Sequence, residues 1–172
     1  MARRRSEESD YKRIAKHYAK SERLYIQQEG EGVYITDGFT AIKVNPAVYR
    51  LYFQTVSPRY RDLKDGERLA VSPDLEVKEG AQVKNIFEGV RKNTVYRSYN
   101  GKMQEGINRG DRNLMAILEA PDSDDLYINY DYFNLFRDIV NGEFMVKTNR
   151  PYEAVYAIGS METEVIMLPI RM

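Results

Sequence analysis

The two ends of this chain carry the same order of signals: an amphipathic helix, then three short strand-like runs separated by turn residues. That order confines the chain to α+β folds in which helices pack on one face of an antiparallel sheet. Near the start, Tyr11, Ile14, Ala15, Tyr18 and Ala19 recur at helical spacing and form one apolar stripe, which predicts a helix over 11–20. Ser9 is placed to cap it, and Glu7, Glu8 and Asp10 suit the positive end of a helix dipole. Strands follow over 24–28, 33–36 and 40–44, divided by Glu29-Gly30-Glu31-Gly32 and by the hairpin pair Asp37-Gly38. At the other end a short strand over 126–128 leads to a helix over 131–140, stopped by Asn141-Gly142. Strands over 144–148, 154–158 and 164–168 complete the second unit.

Two such units related by a pseudo-two-fold would make one domain over 10–172, preceded by a flexible basic tail over 1–9. Residues 46–125 then form a long central insertion. Within it the signals predict a helix capped by Asn45 with Pro46 in its first turn, and a short helix over 81–90. They also predict strand pieces over 94–99 and 114–118, and a solvated loop at Ser123, Asp124 and Asp125.

Charge is balanced overall, with 26 Lys plus Arg against 26 Asp plus Glu. It is not balanced along the chain: residues 1–23 hold eight cations and four acids, net +4, which leaves the rest at −4. Lys12, Arg13, Lys16, His17 and Lys20 occupy the helix face opposite the apolar stripe, with no acid among them. Like charges at i,i+4 repel by a few tenths of a kcal/mol, and a phosphate partner would relieve that repulsion while releasing counterions. A solvated surface face is the competing reading. Cysteine is absent and His17 is the single histidine, which removes thiolate chemistry and multi-histidine metal sites. No apolar run approaches the roughly 18 residues of a membrane span, and the start lacks the apolar core of a secretory signal, so a cytoplasmic protein is expected.

At particular residues the chain resembles one domain of the bacterial DNA sliding clamp, the beta subunit of polymerase III. Val33-Tyr34-Ile35-Thr36-Asp37-Gly38-Phe39-Thr40 is similar to the family's strand that ends in Thr-Asp-Gly and leads into another strand. Tyr127 to Phe136 is similar to its short strand entering a helix, and Ile166-Met167-Leu168-Pro169-Ile170-Arg171-Met172 to its C-terminal strand. The resemblance covers residues 11–44 and 126–172. It implies a non-enzymatic accessory factor that meets DNA through basic helix faces and binds replication proteins in an apolar groove. By that resemblance Phe39, Met167, Leu168, Pro169, Ile170 and Met172 would border the groove. For Ile166 and Leu168, strand alternation favours a core-facing position instead. A protein-interaction module of the same fold without DNA binding is the alternative, and self-association into a homo-oligomer stays open.

The one catalytic pattern is Asp65 followed by Glu76 and Lys78, a carboxylate–carboxylate–lysine set that holds Mg²⁺ in one class of nucleases. An exposed strand face explains Glu76 and Lys78 equally simply. Asp122, Asp124 and Asp125 lack the glycine and closing glutamate of a calcium loop. With no phosphate-binding glycine loop or serine elbow, no cofactor is expected.

Overall fold

A computed structural model describes residues 7–92, 96–99, 103–105, 115–120, 123–147 and 154–168. Helix α1 (Glu7–Ala19) leads into strands β1 (Tyr25–Glu29), β2 (Gly32–Thr36) and β3 (Thr40–Val44). A short helix α2 (Pro46–Val48) continues as a π-turn over Tyr49–Phe53. Strands β4 (Arg68–Val71) and β5 (Val77–Glu79), helix α3 (Val83–Lys92), and strands β6 (Tyr96–Tyr99), β7 (Met103–Glu105) and β8 (Met115–Ala120) follow. The chain closes with β9 (Ser123–Asn129), α4 (Tyr130–Phe136), β10 (Val140–Lys147), β11 (Val155–Gly159) and β12 (Glu164–Met167).

Among the described residues, nine strands form an antiparallel sheet in the order β5-β4-β1-β2-β3-β12-β11-β10-β6. Strands β7, β8 and β9 form a second, three-stranded sheet. Each end of the chain thus contributes a meander, and the two meet where β3 pairs with β12. There Ile42 lies opposite Val165 and Lys43 opposite Glu164. Glu164 is buried and is held by Lys43 at 3.3 Å and by the Tyr156 hydroxyl. A buried carboxylate is tolerated only when it is paired in this way.

Helices α1 and α4 and the α2–π segment share one core. It takes Tyr11, Ile14 and Tyr18 from α1, Phe133 and Phe136 from α4, and Ile26, Ile35, Ile42, Val155, Val165 and Met167 from the sheet. The expected pair of helices on one sheet face is present. The opposite face is also covered, because Val83, Phe87 and Val90 of α3 pack on Tyr34, Ala41, Tyr156 and Ile166. That layer explains why β2 is buried at every position instead of alternating. Strands of the central insertion join the main sheet: β4 and β5 extend it beyond β1, and β6 extends it beyond β10.

Several boundaries differ from expectation. Helix α1 begins at Glu7, so Glu7, Glu8 and Ser9 belong to its first turn, and Ser9 is not its cap. The Asn45 cap holds, with its Oδ1 accepting the Val48 amide at 2.8 Å. The second amphipathic helix stops at Phe136, not at Val140. Val140 pairs with Gly159 instead, and Asn141-Gly142 falls where the register shifts between Val140 and Phe144. A glycine is needed at 159, since an added Cβ would lie 2.5 Å from the Ile139 carbonyl oxygen. That close approach draws the chain into the sheet, so Asn141-Gly142 serves a bulge and not a helix end. Ser123, Asp124 and Asp125 open strand β9 instead of forming a loop: Ser123 pairs with Ala120, and Asp124 and Asp125 fall where the register shifts. No helix among the described residues is long and apolar enough to cross a membrane.

The C-terminus of α1 is pinned from residues 57–61. Arg59 is buried, and its guanidinium donates to the carbonyls of Ala19, Ser21 and Val71. Replacing it by methionine keeps the aliphatic volume but leaves those carbonyls unpaired. Arg59→Met should cost about 3 kcal/mol in urea unfolding, against about 1 kcal/mol for Tyr18→Phe, which removes one buried hydroxyl. A smaller loss at Arg59 than at Tyr18 would show that this guanidinium does not hold the helix end.

Candidate nucleic-acid interface

The basic face of α1 is not uniform once it is folded. Lys12 pairs with Glu8 at 2.8 Å, one helical turn earlier. Arg13 reaches the C-terminus of α4, donating to the carbonyls of Asn134 and Leu135 at 3.3 Å each and to Asp138 at 3.2 Å. Both cations therefore have partners, and the acid-free face expected from spacing alone is partly neutralised by Glu8 and Asp138. Helix α4 carries no cation, and Arg137 just after it lies 3.9 Å from Asp138. Lys16, Lys20 and the neighbouring Arg23 are exposed and have no ion pair among the described residues.

These three cations border a cleft of about 1090 Å³ together with Arg13, His17, Asp37, Phe39 and Tyr132. One wall is the C-terminal half of α1. The other is the β2–β3 turn, which its own side chains make rigid. Asp37 Oδ1 accepts the amides of Phe39 at 2.9 Å and Thr40 at 2.8 Å, and Thr36 Oγ1 donates to the Thr40 carbonyl at 2.6 Å. Gly38 sits at φ +94°, a conformation costly for any other residue. The turn thereby projects Phe39 outward with 62% of its surface exposed. Its ring lies nearly parallel to Tyr132, centroids 6.5 Å apart.

His17 stands at the floor. Its Nε2 is 3.5 Å from Asp37 Oδ2, and its ring meets Tyr18 and Tyr132 edge-on at 5.4 and 5.6 Å. Burial alone would raise the Asp37 pKa, but the nearby His17 ring and the hydrogen bonds from the Thr40 and Phe39 amides outweigh it and hold the carboxyl below its ordinary value. Burial, reinforced by the Asp37 charge, pushes the Tyr18 and Tyr132 hydroxyls up, so both stay protonated at neutral pH.

Of the residues that the sequence singles out for nucleic acid, Arg13, Lys16, His17 and Lys20 share the cleft, whereas Lys12 lies outside it. Arg23, Asp37 and Tyr132 join them, brought from the α1–β1 connection, the hairpin and α4. Arg23 was legible only as part of the basic end, and Tyr132 only as part of an apolar helix face. Of the groove candidates, Phe39 and Leu168 are exposed and adjacent, with the Leu168 amide donating to the Phe39 carbonyl at 3.2 Å. Leu168 therefore does not face the core as alternation suggested, while Ile166 is buried against α3. Met167 is a correction: it is 1% exposed, inside the α1 core, and borders no groove. Pro169, Ile170 and Met172 lie outside the described residues.

The nuclease set does not converge. Asp65 accepts the Gly30 amide at 2.8 Å, at the β1–β2 turn. Glu76 lies at the opposite end of β4, where its carbonyl accepts the Ser72 amide and its own amide donates to Ser72 Oγ. Among the described residues no group of three His, Asp or Glu is placed to hold a metal ion.

The lowered Asp37 pKa has a signed consequence. A carboxyl held low in the folded state contributes stability that is present above its unfolded value, about 4, and is lost as pH falls through the folded value. The stability gap between wild type and Asp37→Asn should therefore be wide at about pH 7 and narrower at about pH 3. Urea melts at both pH values test this, and an unchanged gap would mean that Asp37 does not titrate as its hydrogen bonds imply.

No protein-family model matches this chain, and no curated protein matches it significantly.

Proposed function

We propose that this chain is a non-enzymatic nucleic-acid-binding domain, resembling one domain of a sliding clamp, that holds the phosphate backbone in the α1 cleft. The observation that carries this reading is the set Lys16, Lys20 and Arg23, which are exposed at one cleft and unpaired among the described residues. The facing acids offset them only in part. Two acids, Asp37 and Glu22, also line the cleft, but Asp37 faces His17 at 3.5 Å and the two are outnumbered by Lys16, Lys20 and Arg23. The clamp-like arrangement is supported by the inner six strands, whose order β1-β2-β3-β12-β11-β10 mirrors about the β3–β12 pair, and by α1 and α4 sharing one core.

A second reading rests on Phe39 and Leu168, two large apolar side chains exposed side by side. They would suit an apolar segment of a protein partner, with no DNA contact needed.

Three phosphate contacts predict a log–log salt slope of about −2.7 on duplex DNA and about −2.1 on single strands. Lys16→Glu, Lys20→Glu and Arg23→Glu together should abolish binding in a fluorescence-anisotropy titration and leave the melting temperature nearly unchanged. Lys12→Glu should change affinity little, because Lys12 is paired with Glu8 and lies outside the cleft. Wild-type protein that binds neither duplex nor single strands at low salt would leave the protein-partner reading in its place.

A further inference from the structure

The cleft sets a stacking ring beside free cations. The Phe39 ring is held out by a rigid turn, with 62% of its surface open to solvent. Three side-chain hydrogen bonds hold the backbone of the turn that carries this ring. Tyr132 flanks it in near-parallel orientation, at 20°. Lys16 and Lys20 lie one helical turn apart, about 6 Å along the axis, and Arg23 follows on the connection to β1.

A helix C-terminus normally repels anions, because its unpaired carbonyls carry partial negative charge. Here Arg59 binds the carbonyls of Ala19 and Ser21 from behind, supplying a full positive charge at that end. Burial lowers the Arg59 pKa, yet a guanidinium stays charged in proteins. Lys16, Lys20 and Arg23 are thus left to face the cleft.

In a duplex the base faces are stacked on one another and only their edges reach a protein. A ring at a cleft rim can meet a base face only in a single strand, whose bases are unstacked and free to splay outward. We propose that the cleft takes single-stranded nucleic acid, with phosphates on Lys16, Lys20 and Arg23 and one base stacked on the open face of Phe39. The proposal rests on the nucleic-acid reading above and narrows it. Recognition is sequence-tolerant, because every base has a π face.

The test uses labelled oligothymidylate, an abasic oligomer of the same length and a hairpin duplex, each titrated by anisotropy against the whole chain. Wild type should bind oligothymidylate about 5- to 150-fold tighter than the abasic oligomer, the range that one stacked base contributes. Phe39→Ala should erase that difference, and Phe39→Tyr, which keeps a stacking ring, should preserve it. Since Phe39 is exposed, both variants should fold, with melting curves close to wild type. Equal wild-type affinity for the two single strands would overturn the stacking proposal but leave backbone binding standing. So would a duplex preference that Phe39→Ala does not change. Binding of an acidic, aromatic-bearing peptide with no affinity for any oligomer would overturn both.

Discussion

The docking of α1 through its buried tyrosine hydroxyls fixes the rest of the molecule. Tyr11 and Tyr18 stand seven residues apart on one stripe and are both fully buried. Tyr11 shares a hydrogen bond of 2.6 Å with Thr163 and donates to the Ser160 carbonyl, so it grips the C-terminal meander. Tyr18 shares one of 2.7 Å with Thr40, so it grips the N-terminal meander. Between them the Tyr60 hydroxyl donates to the Ala15 carbonyl. A buried hydroxyl without a partner is costly, so each of these bonds selects one rotation and one axial position of the helix. The helix thereby bridges the two sheet halves on either side of the β3–β12 junction.

Once the stripe is fixed, the opposite face is fixed with it. Lys12 falls beside Glu8, Arg13 beside α4, and Lys16 and Lys20 beside the β2–β3 turn. The basic face is therefore divided by its surroundings. Its N-terminal part is absorbed into the fold by ion pairs and by the carbonyls of a helix end. Its C-terminal part is left over at the cleft. Thr40 links the two levels directly, since it meets Tyr18 in the core while its amide is held by Asp37 in the turn that projects Phe39.

Much of the architecture was legible because it is local. The stripe of α1, the Asn45 cap and the Asp37-Gly38 turn each depend on contacts within a few residues, and each formed where spacing placed it. Two of the failures arise where strand pairing overrides a local signal. Val140 pairs with Gly159 instead of ending its helix, and Ser123 pairs with Ala120 at the start of β9. Met167 and Leu168 show how fine the distinction is: consecutive residues, one in the core and one exposed where β12 ends.

By itself, the sequence determined an α+β chain with two helix-and-meander ends and one helix carrying an apolar and a basic face. These follow from side-chain period and turn chemistry, which act over one or two turns of backbone. Tertiary structure decided that Arg13 is taken up, because its ion pair with Asp138 joins residues far apart in sequence, whereas the Lys12–Glu8 pair is local to α1. It alone covered the second sheet face with α3, and it alone gathered Arg23, Asp37, Phe39 and Tyr132 around one cleft. Burial and charge pairing at a site depend on what the folded chain brings near, and no local pattern encodes that.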